Sequence, residues 1–194
     1  MSDETPAIDP RTSILLVMDY QPGIIGRLED ADAQVARAAR ALELARGAGM
    51  HVGYVRVAFT PEDAAAVPAT NVTFSRAAGS LPADAPETQI DERLAPLDGD
   101  IVVRKVRIGA FSTTDLADQL QARGVDTLVL AGISTSGVVL STVRDAFDHD
   151  YRLVVLSDGC ADFDREVHRV LLEKVFPSQA AVITIDELGQ ALGR

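Results

Sequence analysis

The sequence predicts a three-layer α/β/α fold, in which a six-stranded parallel sheet of the Rossmann-like type lies between two layers of helices. Short apolar segments alternate with helical segments along the whole chain, and this alternation is typical of a parallel sheet covered on both faces. Neither an internal repeat nor a linker divides the 194 residues, so we expect a single domain. The expected strands are residues 13–19, 51–57, 100–105, 127–131, 151–158 and 181–185.

Composition and charge restrict the possible functions. Hydrophobic residues make up 47% of the chain, which supports a sizeable core, and the formal net charge is -11. Such an acidic chain is not expected to bind nucleic acid or an anionic membrane, so the expected partner is a small-molecule substrate. Residues 1–11 predict a flexible tail rather than a signal peptide. No apolar run approaches the ~20 residues of a membrane span, and we expect a cytoplasmic protein.

The first half of the chain opens as strand, helix and strand. Residues 30–48 carry Ala, Val and Leu at helical spacing, and Gly47 and Gly49 are expected to end this helix. Residues 60–98 break the rhythm, because they are rich in Pro, Ala and Asp and only 87–94 predict a short helix. Loops of this length are uncommon without a use. We therefore favour a lid or a subunit interface over a poorly ordered surface loop.

The second half resumes the alternation. Thr114 is expected to cap a helix that carries Leu116 and Leu120 on one face and ends at Gly124. After the strand at 127–131, Gly132 and small hydroxyl residues are expected to turn the chain into a helix that begins near Ser136. Such a turn directs backbone N–H groups into the crevice above the sheet, where they suit an anion or an oxyanion. Further helices are predicted over residues 164–176 and 186–192.

Charged side chains follow several of the predicted strands. Asp19, Lys105, the turn at 132–138 and Asp158 are all placed beyond carboxyl ends, where open parallel sheets form their sites. Lys105 has the reach to meet Asp19, and its positive charge would favour the ionised form of that carboxyl group. Each charge taken alone is typical of a helix cap or a solvated rim. Together they indicate a site.

In combination, these residues resemble the isochorismatase-like hydrolases of the cysteine hydrolase superfamily, which include nicotinamidases, N-carbamoylsarcosine amidases and isochorismatases. The resemblance runs from about residue 12 to residue 188 and implies the six-stranded parallel fold. The segments that carry it are 14–21, 105–111, 131–135, 157–162 and 166–168, together with Val139, Thr142, Asp145 and Ala146.

The resemblance implies roles for individual residues. Asp19 would be the general acid or base and Lys105 its charge partner. The turn at 133–138 would hold the oxyanion donors, with a cis peptide bond before Ser134. The nucleophilic cysteine of the amidases aligns with Val138, which offers no nucleophile. The turn residues are Ser134, Thr135 and Gly137, and the candidate substrate-binding residues are Gln21, Phe74, Arg76, Arg107 and Phe111.

Other residues are poor replacements for the missing nucleophile. Cys160 is the only cysteine, so no internal disulfide forms, and it is expected to be a small buried hydrophobic residue. Ser134 and Ser136 flank the nucleophile position without occupying it. We expect neither a metal nor a cofactor, because the three histidines are scattered and are assigned to surface or supporting roles.

Two functions remain open at this point. Isochorismatases also lack the cysteine, and protonate a vinyl ether through the strand-one Asp before water attacks; this resemblance implies a hydrolase of a small, anionic metabolite. The alternative is a catalytically degenerate relative that serves as a small-molecule binding or interaction protein. Val138 and the long crossover would then close the cavity. By the resemblance, either protein is expected to be a homo-oligomer, a dimer or a tetramer.

Overall fold

The predicted parallel sheet is confirmed in the computed structural model, which describes residues 7–193. Its order is β3-β2-β1-β4-β5-β6, with every neighbouring pair parallel. The order reverses between β1 and β4, so the crevice beyond their carboxyl ends is the expected ligand site. The strands are β1 (Ser13–Met18), β2 (His51–Val57), β3 (Ile101–Lys105), β4 (Thr127–Ile133), β5 (Arg152–Ala161) and β6 (Ala181–Ile183).

Helices cover both faces of this sheet. Within residues 7–193, none of them is long and apolar enough to cross a membrane. Of the predicted tail, residues 1–6 lie outside the described part of the chain, and Pro10–Thr12 forms a 3₁₀ turn. The α-helices are α1 (Pro22–Ile25), α2 (Ala31–Gly47), α3 (Pro61–Ala65), α4 (Val72–Ala77), α5 (Leu116–Ala122), α6 (Leu140–Asp148), α7 (Arg165–Val170) and α8 (Ile185–Ala191).

The two faces of β1 explain its continuous apolar sequence. Leu15 and Val17 join the cluster under α2 and α8, whereas Ile14, Leu16 and Met18 join the cluster under α5 and α6. Every residue of β1 is buried, and the same holds for β4. Because both faces are covered, neither strand shows the alternation of a half-exposed strand. These two strands therefore form a rigid floor on which the site is built.

The crossover between β2 and β3 differs from its prediction. The helix predicted over residues 87–94 is wrong, because that stretch contains only the 3₁₀ turns Pro86–Thr88 and Glu92–Leu94. The short helices α3 and α4 form instead. A reciprocal capping box between Thr60 and Asp63 starts α3. Helices this short do not repeat an apolar face, so only their caps mark them in the sequence.

Thr88 anchors the crossover to the sheet. Its carbonyl oxygen accepts hydrogen bonds from Nε2 of Gln21 at 2.7 Å and from Nη1 of Arg56 at 2.9 Å. Its own hydroxyl group donates to the carbonyl oxygens of Pro82 and Ala85. Thr88 is almost completely buried. The crossover is thus fixed at its middle to the residues that follow β1 and line β2.

The carboxyl ends of two strands also differ from prediction. β4 continues through Gly132, which packs so closely that an added Cβ would lie 2.9 Å from Cγ2 of Val139. β5 extends to Ala161, so Asp158 lies within the strand and not beyond it. Its carboxylate accepts a hydrogen bond from the Ile185 N–H group at the start of α8, at 2.9 Å. Asp158 is therefore a structural residue outside the crevice, and its predicted place at the site is wrong.

The helix predicted over residues 164–176 is interrupted. It consists of α7, a π-helical turn over Leu171–Val175 and a 3₁₀ turn over Phe176–Ser178. The side chain of Asp164 caps α7 by accepting from the N–H groups of Glu166 and Val167. The segment is helical as predicted, but the helix type changes from α to π and then to 3₁₀.

Candidate active site

Asp19 and Lys105 meet at the carboxyl end of the sheet. β1 ends at Met18, and Asp19 takes the left-handed backbone conformation with φ of 58°. Lys105 is the last residue of β3, and its side chain crosses the end of β2 to reach Asp19. Nζ lies 2.9 Å from Oδ2, and the two side chains are only 2% and 6% exposed. The structure thus brings together the two charges that the sequence placed at strand ends.

The ammonium group of Lys105 is fully engaged. Besides Asp19, it donates to the carbonyl oxygens of Arg107 and Ile108, each at 3.1 Å. An ammonium group has three N–H donors, so none is left for a substrate. The loop that provides these carbonyls is held to α6, where Oγ1 of Thr142 accepts from the Ala110 N–H group at 3.2 Å. Lys105 therefore has an acceptor for each of its three N–H groups.

Asp19 keeps one oxygen free. Its Oδ1 atom is buried and has no hydrogen-bond partner among residues 7–193. Burial raises the pKa of Asp19 above its usual value, and this effect exceeds the opposing attraction and hydrogen bond of Lys105. The expected attraction of Lys105 is present, but it is smaller than the effect of burial, which the sequence did not predict. A protonated Asp19 is a group that can donate a proton to a substrate.

The β4 turn, residues 134–139, follows the carboxyl end of β4, the strand that pairs with β1. It begins with a cis peptide bond between Ile133 and Ser134, as the resemblance implied. The segment Thr135–Val139 is π-helical and leads into α6, so the α-helix begins later than predicted. An added Cβ at Gly137 would lie 2.7 Å from Oγ of Ser134, so a larger residue here would require the Ser134 hydroxyl group to move.

Val138 faces the core from this turn. Its side chain is 2% exposed and packs in the cluster under α5 and α6, with Val139 and Val143. No atom of valine can attack a carbonyl carbon. The position that the resemblance assigns to a nucleophile is thus filled by an apolar side chain.

Two side chains on the outer side of the turn were not predicted as site residues. Oδ2 of Asp162 accepts a hydrogen bond from the Ser136 N–H group at 2.6 Å, so this N–H is occupied. Nδ1 of His168 lies 2.7 Å from Oγ1 of Thr135. Both belong to segments that carried the resemblance, but the sequence alone gave no reason to pair them with the turn.

Two of the five candidate substrate-binding residues are used elsewhere. The amide group of Gln21 donates to Val57 and Thr88 and accepts from the Val57 N–H group, so both of its donors are occupied. Phe111 stacks on His149 and Tyr151. This contact lies near the amino end of β5, away from Asp19.

The other candidates lie around the loop after β3. The guanidinium group of Arg107 lies 5.9 Å from the ring centre of Phe74, a residue of α4. Arg76 is an exposed residue of the same helix. Within residues 7–193, neither arginine has a carboxylate at ion-pair distance. Neither charge is neutralised by a carboxylate, although Nη1 of Arg107 donates to the carbonyl oxygen of Val106 at 2.6 Å.

Cys160 is isolated from the site. It is buried within β5, and its sulfur lies 3.7 Å from the carbonyl oxygen of Leu130. Burial raises the pKa of its thiol to about 12. The thiolate is the reactive form, so the environment of Cys160 suppresses nucleophilic chemistry.

The burial of Cys160 predicts slow alkylation. At pH 8 we expect the thiol to be almost entirely protonated, because burial raises its pKa to about 12. Iodoacetamide should therefore modify the folded protein far more slowly than the urea-unfolded protein, as followed by mass spectrometry. Cys160→Ser should keep the activity of the wild-type protein. A loss of orders of magnitude in a folded Cys160→Ser variant would contradict the structural assignment.

Comparison with known proteins identifies the family. The isochorismatase domain matches residues 13–187. The chain is 34% identical over 197 residues to the uncharacterized isochorismatase family protein YecD of Escherichia coli O157:H7, covering 95% of this chain and 98% of YecD. It is 34% identical over 185 residues to the phenazine biosynthesis protein PhzD of Pseudomonas fluorescens, covering 93% of this chain and 86% of PhzD. An isochorismatase family protein from Burkholderia thailandensis superposes with a TM-score of 0.79 at 29% identity, covering 97% and 99% of the two chains. The chain belongs to the isochorismatase family of hydrolases.

Proposed function

We propose that this protein hydrolyses a vinyl ether or a related bond in a small anionic metabolite, through Asp19 and Lys105 and without a cysteine nucleophile. The observation that carries this proposal is the state of Asp19: it is buried, its pKa is raised, and its Oδ1 atom has no partner among residues 7–193. A carboxyl group in this state suits general acid catalysis. The apolar side chain at Val138 argues against a covalent acyl intermediate.

The proposed reaction uses only proton transfer and water. Oδ1 of protonated Asp19 gives its proton to the terminal carbon of the vinyl ether, so a C–H bond forms and the neighbouring carbon becomes an oxocarbenium ion. Water attacks that carbon and returns a proton to the Asp19 carboxylate. The hemiketal then separates into a carbonyl compound and an alcohol. Lys105 stabilises the carboxylate while it is ionised, since its charge lies 2.9 Å away.

Two arginine side chains without a carboxylate partner support an anionic substrate. Arg107 follows the lysine strand closely in sequence and lies against Phe74, and Arg76 is on the same helix as Phe74. In a protein with a net charge of -11, a carboxylate-bearing ligand requires such local positive charge. A guanidinium group binds a carboxylate through two parallel N–H donors. We propose that Arg107 binds the carboxylate of the ligand and that Arg76 adds electrostatic attraction for the anionic ligand.

A binding protein without catalysis is the second candidate, and the burial of Val138 favours it. The branched valine side chain is buried in the apolar cluster under α5 and α6. In that case Asp19 and Lys105 would remain as a buried ion pair with a structural role. The two candidates differ in turnover and not in affinity.

A substrate screen distinguishes these candidates. Purified protein is incubated with small carboxylate-bearing vinyl ethers and with matched amides, and the products are followed by proton NMR. We expect turnover of vinyl ethers with incorporation of one solvent deuterium at the new C–H bond in D₂O, and no turnover of amides. Amide hydrolysis would contradict the proposed chemistry. Binding without turnover across both series would favour the second candidate.

Val138→Cys tests whether the turn still supports a thiolate. In a Cys160→Ser background the new thiol is the only one, and the loss of one methyl group should cost about 1 kcal/mol of unfolding free energy. If the site retains the arrangement of the amidases, the thiol should have a lowered pKa and react rapidly with iodoacetamide. The rate is compared with that of Val139→Cys in the same background, where the side chain packs under α6. If both folded variants react with iodoacetamide at equal, slow rates, the surroundings of residue 138 do not activate a thiol.

A further inference from the structure

α7 contacts the β4 turn through a side-chain hydrogen bond. Oγ1 of Thr135 lies 2.7 Å from Nδ1 of His168, and the Thr135 side chain is fully buried at the start of the turn. His168 lies on α7 and is half-buried. The next residue of the turn is held by Asp162, which accepts from the Ser136 N–H group. The turn is therefore held by hydrogen bonds to the side chains of His168 and Asp162.

In the hydrogen bond between Thr135 and His168, either side chain can be the donor. When the neutral ring carries its hydrogen on Nε2, Nδ1 has a lone pair and accepts from the Thr135 hydroxyl group. When the ring is protonated, Nδ1 carries a hydrogen and donates to the same hydroxyl oxygen. The hydroxyl hydrogen of Thr135 must then turn toward another acceptor. Protonation thus changes the hydrogen bonding of a buried group without removing any atom.

The surroundings of His168 favour the neutral ring. Burial lowers the pKa of His168, and this effect exceeds the opposing attraction of Asp162 at the end of β5. The β4 turn itself contains no ionisable side chain. The other charged residues of α7 and its cap are Asp164, which caps the helix, Arg165, which pairs with Glu29, Arg169, which pairs with Glu173, and the exposed Glu166.

We propose that His168 is a positioning residue, which holds the β4 turn through the Thr135 hydroxyl group and shifts the turn when its ring is protonated. The consequence for turnover rests on the proposed function, because the turn lines the reacting site. The coupling itself does not, since it is a property of the free protein. The turn is expected to keep its active geometry at neutral pH and to leave it as the pH falls through the pKa of His168.

NMR titration of the protein without substrate tests the coupling. We expect the neutral His168 ring to carry its hydrogen on Nε2, and the amide shifts of Thr135, Gly137 and Val138 to change with the same midpoint as the ring. Turn amides that change with a midpoint different from that of the His168 ring would overturn the proposal. A neutral ring with its hydrogen on Nδ1 would also overturn it, because the bond would not reverse.

Two variants separate positioning from general stability. His168→Asn places an amide near the position of Nδ1 but does not titrate, so the turn amides should keep their neutral-pH shifts and lose the histidine midpoint. Thr135→Val keeps the side-chain shape without the hydroxyl group, so His168 should titrate while the turn amides no longer follow it. If the turn amides of Thr135→Val still follow His168, the hydroxyl group does not transmit the change and the proposal is wrong. These outcomes are independent of any substrate, so a failed activity screen leaves them intact.

Discussion

Replacing Asp19 with Asn is expected to lower turnover by ~10²–10⁴-fold while substrate binding changes much less. Asparagine keeps the shape of the side chain but cannot transfer the proton. The measurement is kcat and KM on the vinyl ether selected by the screen, per folded molecule. Asp126→Asn is the matched control, because Asp126 precedes β4 at the amino end of the sheet, opposite to the end at which Asp19 follows β1. That variant should behave as the wild-type protein.

The pH dependence of turnover provides a second test of catalysis by Asp19. Asp19 works as an acid only while protonated, and burial raises its pKa. Turnover of the wild-type protein should therefore fall as the pH rises through this pKa. The residual turnover of Asp19→Asn should not show that fall. An Asp19→Asn variant that is less stable yet fully active would contradict catalysis by this group and leave the pair as a structural feature.

Replacing Lys105 with Met is expected to cost about 3–5 kcal/mol of unfolding free energy at neutral pH, because it leaves the Asp19 carboxylate buried without its counter-charge. The pKa of Asp19 should rise further, since the opposing attraction is removed. The experiment is urea unfolding at pH 7.5 and at pH 4.5. Lys174→Met removes an exposed lysine and should change the free energy by less than about 0.5 kcal/mol.

The sign of the pH dependence follows from the raised pKa. A buried acid whose pKa is raised binds its proton more tightly in the folded protein than in the unfolded chain, so its folded form is favoured at low pH and loses stability as the pH rises through that pKa. The destabilisation of Lys105→Met should thus be smaller at pH 4.5. The double variant Asp19→Asn with Lys105→Met should recover part of the loss, because no unpaired charge remains. Equal losses at both pH values would contradict the buried-charge explanation.

The sheet and its main pair of charges were predictable because local signals agree with the tertiary structure. The sequences of β1 and β4 are almost continuously apolar, because both faces of each strand are buried. Asp19 and Lys105 follow parallel strands, and parallel strands end at one edge. The presence of the pair therefore follows from spacing and topology alone.

The surroundings of that pair were not predictable. The partners of Lys105 include two backbone carbonyls, whose positions depend on loop conformation and not on residue type. The ring of Phe111 stacks on Tyr151 because the loop after β3 is held to α6 by the hydrogen bond from Ala110 to Thr142. His168 reaches Thr135 only because α7 packs on the β4 turn. None of these contacts has a periodic pattern in the sequence.

The anchoring of Thr88 fixes the middle of the crossover. Its carbonyl oxygen binds Gln21 and Arg56, and each such buried bond contributes about 1 kcal/mol or more to holding the segment in place. The segment that contains α3 and α4 is closed at its base as well, because Phe59 and Pro82 form a parallel β-bridge. Phe74 and Arg76 of α4 therefore lie in a loop with a fixed base, so a ligand that binds beside them meets side chains whose distance from the strands is set in advance.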